Sequence, residues 1–206
     1  MLGHLQSSKR QLCLKKRGSG MIVYNGMRID FSDAVREHAQ IGISDTKLNE
    51  RSIYGFRNQY IGKLSELVVS QFLAHHRIDH RMVGHEVRDH DIRVGDVSLD
   101  VKSISRKRYC QLDYEHGIPQ AQMFSNCDAY IFVSVLMQDE RPMYAQLMGW
   151  EYKKDFWDNC EMVAKGQVNQ VGLPHRLDNG VCLYSSLRNM SELVYKLSDY
   201  LKGKRI

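Results

Sequence analysis

The sequence predicts an α/β domain in which a mixed β-sheet is flanked by helices, and three observations predict it. Residues Ala129-Tyr130-Ile131-Phe132-Val133-Ser134-Val135-Leu136 are nearly all apolar, as in a central strand buried on both faces. Upstream, Asp91 to Lys102 reads as a hairpin, with a helical stretch headed by Pro119 between it and the central strand. A crossover through a helix makes those two strands parallel, so the sheet is mixed. Amphipathic helices over Tyr60 to His75 and from Ser191 onward supply the apolar stripes that cover a sheet.

The elements follow in order. Ile22 to Phe31 forms a hairpin around Asn25-Gly26, and Ser32 caps a short helix from Asp33 to about Gln40. Residues 42–58 lack a clear period and read as loop. In the helix from Tyr60, Ile61, Leu64, Val68 and Phe72 keep helical spacing, with Val69 and Leu73 widening the stripe. Glu66 falls at the edge of that stripe, one turn after Gly62, whose missing side chain permits a close approach. His75, His76, His80, His85 and His90 follow without a zinc spacing and read as surface or phosphate-proximal residues. After the central strand come a strand over Met143 to Trp150 and a helix over Tyr152 to Lys165 closed by Gly166. Gly172 to Gly180 reads as loop, Val181 to Tyr184 as a short strand. Ser191 caps the last helix, with Leu193, Leu197 and Leu201 along one face.

Length and composition set the bounds. The 206 residues suit one domain over 21–206, preceded by a basic segment over 1–20. No apolar run approaches the roughly 18 residues of a membrane span, and the N-terminus has no hydrophobic signal core, so a cytoplasmic protein with no membrane partner is expected. The net charge of +5 resides in residues 1–20, where Lys9, Arg10, Lys15, Lys16 and Arg17 meet no acid. That segment is either a nucleic-acid-binding arm or unfolded sequence upstream of a start at Met21; an accessory, disordered arm is the favoured reading. Cys13, Cys110, Cys127, Cys160 and Cys182 include no C-x-x-C pair and read as reduced, mostly buried thiols.

The chemistry concentrates in H-D-I-R-V-G-D-V-S-L-D-V-K-S, His90 to Ser103. Gly95-Asp96 suits a two-residue type II′ loop, which sets Val94 against Val97 and Asp91 opposite Asp100. Strand alternation puts Lys102 on the face of the two carboxylates and sends Ile92, Val94, Val97, Leu99 and Val101 to the core. Two opposed carboxylates repel unless neutralised, and a hard divalent cation neutralises them. The alternative is a solvated hairpin face with an ordinary Asp–Lys pair, since a D-x-K triplet alone says little. Next comes Arg106-Lys107-Arg108-Tyr109, a basic patch ending in an aromatic. It suits phosphate contacts with a ring to stack on a base, or a solvated loop.

A helix carrying Glu66 in G-K-L-S-E-L, a hairpin with Asp91 and then Asp100-Val101-Lys102, a helix and a hydrophobic strand together resemble the PD-(D/E)xK nuclease superfamily. Its members include restriction-type endonucleases, Holliday junction resolvases and phage or repair exonucleases. The segments M-Y-A-Q-L-M-G-W, D-F, A-K-G and L-Y-S-S-L-R…S-E-L are also similar to C-terminal parts of such nucleases. The similarity spans Tyr60 to Leu201, although its specific part is four residues, and His90 stands where the family has proline.

The resemblance implies a restriction endonuclease-like core and a metal-dependent deoxyribonuclease. Asp91 and Asp100 would hold Mg²⁺ or Mn²⁺, Glu66 would complete the metal site, and Lys102 would orient water and offset phosphate charge. DNA is the implied partner, with Arg106, Lys107, Arg108 and Tyr109 as nucleic-acid contacts; a homodimer is compatible with this reading. A non-catalytic nucleic-acid-binding protein on the same fold is the alternative.

Overall fold

The computed structural model describes residues 27–31, 36, 39, 55–83, 89–170 and 172–203. The basic segment 1–20, the Asn25-Gly26 turn, the Ser32 cap, most of the expected loop 42–58, and His85 lie outside the described residues. Of the short helix expected from Asp33, Arg36 and Ala39 are described, and both are helical.

Nine strands and three α-helices are described. The strands β1 (Met27–Asp30), β2 (Arg81–Met82), β3 (Ile92–Val94), β4 (Val97–Arg106), β6 (Ala129–Gln138) and β7 (Arg141–Tyr152) form one sheet in the order β1-β7-β6-β4-β3-β2. Its β4–β6 pair is parallel and its other pairs are antiparallel, so the sheet is mixed, as the sequence predicts. The strands β5 (Glu115–Pro119), β8 (Glu161–Val163) and β9 (Asn179–Leu183) make a second, antiparallel sheet in the order β5-β9-β8.

Alternation along β6 separates two cores. Ile131, Val133 and Val135 face the larger one, shared with helix α1 (Gly55–His75) and helix α3 (Met190–Leu201). Ile61, Leu64, Val68, Val69, Phe72 and Leu73 of α1 are all buried there, the stripe read from their spacing. Each such side chain contributes about 1.5–3 kcal/mol by leaving water. Tyr130 and Phe132 face the smaller core, with Ile118 of β5, Phe156 of helix α2 (Lys153–Asn159), Tyr184 and Leu187.

The hairpin β3–β4 turns as its sequence dictates. Gly95 takes φ +57° while Asp96 keeps φ negative, the type II′ pattern. An added Cβ on Gly95 would also lie 2.9 Å from the Tyr200 ring, whose hydroxyl accepts from Asp96 N at 3.0 Å. That contact fixes the hairpin tip to α3. At the start of β4, Asp128 accepts from both Ser98 N and Ser98 Oγ at 2.7 Å, latching β4 to the entry of β6.

Several expectations are corrected. The helix expected from Pro119 through Phe124 is present as a 3₁₀ helix over Gln120–Phe124 with Pro119 at its N-terminus, but the crossover before β6 also holds the strand β5, which ends at Pro119. His116 and Ile118 are buried on alternate positions of β5, and pairing with β9 makes the residues before the 3₁₀ helix a strand. Helix α2 stops at Asn159 rather than Lys165, because Glu161 to Val163 pair with Asn179 to Val181. Gly180 makes this possible, since a Cβ there would sit 2.5 Å from the Trp157 ring and 2.7 Å from Cys160 Sγ. The strand expected at Val181 begins at Asn179, inside the expected loop. The cap of α3 is Asn189, whose side chain accepts from Glu192 N at 3.0 Å; Ser191 lies inside the helix. Leu201 is exposed, and Met190 joins Leu193 and Leu197 on the buried face. Helix α1 starts at Gly55, five residues before the expected start, in a turn whose sequence shows no apolar period.

Of the cysteines, Cys110 and Cys127 are buried, Cys160 and Cys182 partly so, and all four are free thiols; Cys13 lies outside the described residues. Among the described residues, no helix is long and apolar enough to cross a membrane.

Candidate active site

The site is built where the β3–β4 ladder ends. Pairing runs Val94↔Val97, Arg93↔Ser98 and Ile92↔Leu99, then stops. Asp91 lies just beyond it: its N–H donates to Leu99 O at 2.9 Å, and its carboxylate accepts from Val101 N at 2.7 Å. The expectation that Asp91 pairs directly across from Asp100 is therefore corrected. The side chain of Asp91 substitutes for the missing strand by capping an amide of β4, and this brings its carboxyl to Asp100 by a different route.

Asp100 and Lys102 alternate with the core residues Leu99 and Val101, as the hairpin register requires, and they occupy the face of the smaller core. Asp100 is buried, and Lys102 Nζ lies 2.5 Å from its Oδ2. The ammonium also sits 5.2 Å from the centroid of the Tyr130 ring, a cation–π contact that holds it from below. Burial pushes the Tyr130 phenol up to about 12, so it stays protonated and donates to Gln122 O at 3.3 Å.

Glu66 reaches the same place from α1. Its charge is the strongest one raising the Asp91 carboxyl, ahead of Asp100. Loss of water holds Asp91 well above the usual carboxylate range, and the two neighbouring carboxylates add to that; the Val101 amide and Lys102 oppose it. Glu66, Asp100 and Lys102, three of the four residues expected to act together, thus all act on the fourth, Asp91.

One member escaped the sequence reading. Lys63, one turn before Glu66, places Nζ 2.9 Å from Glu66 Oε2, and both side chains are largely buried. Its i,i+3 spacing from Glu66 was visible, but such pairs are commonplace on helices and carry no functional signal alone. Gly62 does not serve the close approach expected of it, because an added Cβ would meet nothing within 4 Å.

The basic patch divides. Arg106 is drawn inward: its guanidinium donates to Glu115 O at 2.6 Å and lies 5.1 Å and 5.7 Å from the Tyr114 and Tyr184 ring centroids. Lys107, Arg108 and Tyr109 are exposed, with Tyr109 tilted against Tyr144 at 6.3 Å. Below Arg106 lies His116, fully buried, its Nδ1 2.8 Å from Tyr184 Oη and its ring edge-on to Phe132. Burial, with Arg106 and Lys102 nearby, brings His116 down to about 3, so it is neutral and structural. Among the other histidines, His80 is fixed by Ser70 Oγ at 2.7 Å and Ile78 O at 2.9 Å.

Among the described residues, no group of three His, Cys, Asp or Glu side chains is disposed as it stands to hold a metal ion. Glu66 faces Lys63, Asp100 faces Lys102 and Asp91 faces an amide. The donor chemistry nonetheless suits Mg²⁺, which takes one or two carboxylates and completes its shell with water and phosphate oxygens. Asp91 is the observation that bears on it: its carboxyl is pressed by two others and, among the described residues, has no ion-pair partner, so a divalent ion would relieve it.

Set against protein-family models, curated proteins and solved structures, the chain matches none.

Proposed function

We propose that this protein is a metal-dependent nuclease with a restriction endonuclease-like core, hydrolysing phosphodiester bonds in DNA. The observation that supports the reading is that Glu66 from a helix and Asp100 and Lys102 from a strand all act on the Asp91 carboxyl at the end of β3. The order of elements supports it as well: a helix, an antiparallel run β2-β3-β4, then β6 parallel to β4.

In this reading Asp91 and Asp100 would hold Mg²⁺ or Mn²⁺, with Glu66 completing the site. A divalent cation bound there supplies charge neutralisation for the entering and leaving oxygens of in-line hydrolysis. The chain's own residues do the rest. The Val101 amide keeps Asp91 aimed into the cleft. Tyr130 and Asp100 hold the Lys102 ammonium where charge builds on the phosphate, and Lys102 aligns the attacking water. Lys107, Arg108 and Tyr109 are free to meet the DNA backbone and a base, whereas Arg106 shapes the wall behind Lys102.

A second reading, a DNA-binding protein without catalysis, is favoured by the pairing of Glu66 and Asp100 with lysines, which neutralises them without a metal. Supercoiled, linear, single-stranded and four-way-junction DNA, each with Mg²⁺ or EDTA, tests the choice. Cleavage of at least one substrate, abolished by EDTA, is expected. Binding without cleavage under any metal would establish the second reading. Lys102→Ala sharpens the test: turnover should fall far more than affinity measured in Ca²⁺, because an interaction made mainly in the transition state appears in kcat.

A further inference from the structure

Among the described residues, Lys63 joins the site through a single contact, its ammonium standing on the Glu66 carboxylate. An i,i+3 pair on a wet helix surface contributes a few tenths of a kcal/mol and leaves both side chains in solvent. Here the side chains of Lys63 and Glu66 are only 17% and 19% exposed, so the pair is largely withdrawn from solvent. A cation that binds Glu66 through Oε2, the oxygen that faces Lys63, takes the place of that ammonium. Lysine is a point charge on a flexible stem, so once displaced it moves to the nearest anion.

The charges of the cleft indicate which anion that is. Glu66, Asp91 and Asp100, the ammonium groups of Lys63 and Lys102, and one divalent cation together carry a single positive charge. A phosphodiester carries a single negative one. Without Lys63 the loaded cleft is neutral and offers the phosphate no net attraction.

We propose that Lys63 is a substrate-phosphate contact of this site, parked on Glu66 until a divalent cation displaces it. The proposal rests on the nuclease reading and deepens it by assigning a second lysine to the scissile or adjacent phosphate.

The test uses the full chain with Lys63→Met, which keeps length and removes charge, and Lys63→Arg, which keeps charge. Thermal unfolding confirms that each variant is folded. Mn²⁺ titrated into the DNA-free protein should bind Lys63→Met about two- to fivefold more tightly than wild type, because no ammonium has to be moved. Duplex affinity in Ca²⁺ should fall in Lys63→Met, with a salt dependence shallower by about one unit, and Lys63→Arg should recover most of the affinity. Equal Mn²⁺ affinity in wild type and Lys63→Met would overturn the parked ammonium. Equal DNA affinity and salt slope would overturn the phosphate contact. Wild type that binds no DNA in Ca²⁺ would instead sink the nuclease reading itself, a result distinct from either.

Discussion

Two clusters in this protein each gather three carboxylates, and they settle the repulsion in opposite ways. Around Arg188, one guanidinium answers all three: Nε to Glu151 at 2.8 Å, Nη1 to Glu192 at 3.1 Å and Nη2 to Asp155 at 3.2 Å. Its plane lies 5.3 Å and 5.7 Å from the Tyr152 and Trp150 ring centroids. Backbone bonds in both directions between Trp150 and Arg188 fix the strand beneath, and the Glu151 hydrogen bond holds the guanidinium further above its ordinary value. At the other cluster, Glu66 and Asp100 each have a lysine, and among the described residues Asp91 has a backbone amide and no ion-pair partner. A planar five-donor fork can satisfy several acids at once, whereas ammonium groups act one by one and can leave. The first cluster is closed and holds α2, α3 and β7 together. The second leaves Asp91, among the described residues, without a paired cation, which is what the proposed metal site needs.

The largest expected effect comes from breaking the cleft side. Asp100→Asn keeps shape and removes one of the charges. Mg²⁺-dependent cleavage should fall at least about a hundredfold, the scale for losing one preorganised electrostatic partner. Circular dichroism should show the fold intact. Wild-type cleavage by a folded Asp100→Asn protein would mean that the cleft is as structural as the Arg188 cluster.

Breaking the other side should do the reverse. Arg188→Met leaves Glu151, Asp155 and Glu192 without their shared cation. The Arg188 side chain is 36% exposed, so solvent screens the loss. A cost of about 1–2 kcal/mol is expected, lowering Tm by roughly 2–8 °C. Cleavage at a temperature where the variant is folded should be unchanged. Lost cleavage without lost stability would erase the distinction between the clusters.

What the sequence revealed follows the same division between local and distant causes. The Gly95-Asp96 turn, the alternation through Leu99, Asp100, Val101 and Lys102, the stripe of α1 and the apolar run of β6 are each set within about ten residues, and each is legible. Residues whose state depends on a remote partner are not. Glu161 to Val163 are strand because Asn179 to Val181 lie beside them, and the segment before Pro119 is strand because β9 pairs with it. Asp91 was placed in the cleft by a ladder that in fact ends one residue earlier, and the Val101 amide restores it. Lys63 was invisible because a lysine beside a glutamate on a helix has a bland explanation until both prove buried.

A smaller effect distinguishes the unanswered charge directly. Because the folded-state value of Asp91 is raised above the unfolded one, its carboxyl contributes stability that is fully present below the unfolded value, roughly 4. That contribution is lost as pH rises through the folded value. Asp91→Asn can still accept from Val101 N but never ionises. The variant should therefore match wild type in acid and exceed its Tm at neutral pH, with Mg²⁺ narrowing the gap by stabilising wild type. Parallel Tm–pH curves for the two proteins would show that Asp91 is not under strain from its neighbours. No such neutral-pH gain is expected on replacing Glu151, whose charge is already answered by Arg188.

The smallest effect concerns Gly62, on the cleft side of α1 one turn before Glu66. A glycine inside a helix is less stable than alanine by about 0.5–1 kcal/mol, because the unfolded chain gains more freedom from it. Such a glycine is needed where something comes close, and among the described residues nothing beyond the helix's own backbone lies within 4 Å of the Cβ it lacks. Gly62→Ala should therefore raise Tm by roughly 1–4 °C and leave cleavage and Mn²⁺ affinity unchanged, since Glu66 and Lys63 are not displaced. A gain in Tm accompanied by weaker cleavage would carry a different meaning. The open space at Gly62 would then be used by the substrate, and the functional cluster would extend one turn up the helix beyond Glu66. A loss of stability would mean that the helix backbone at this position is held for a reason its contacts do not display.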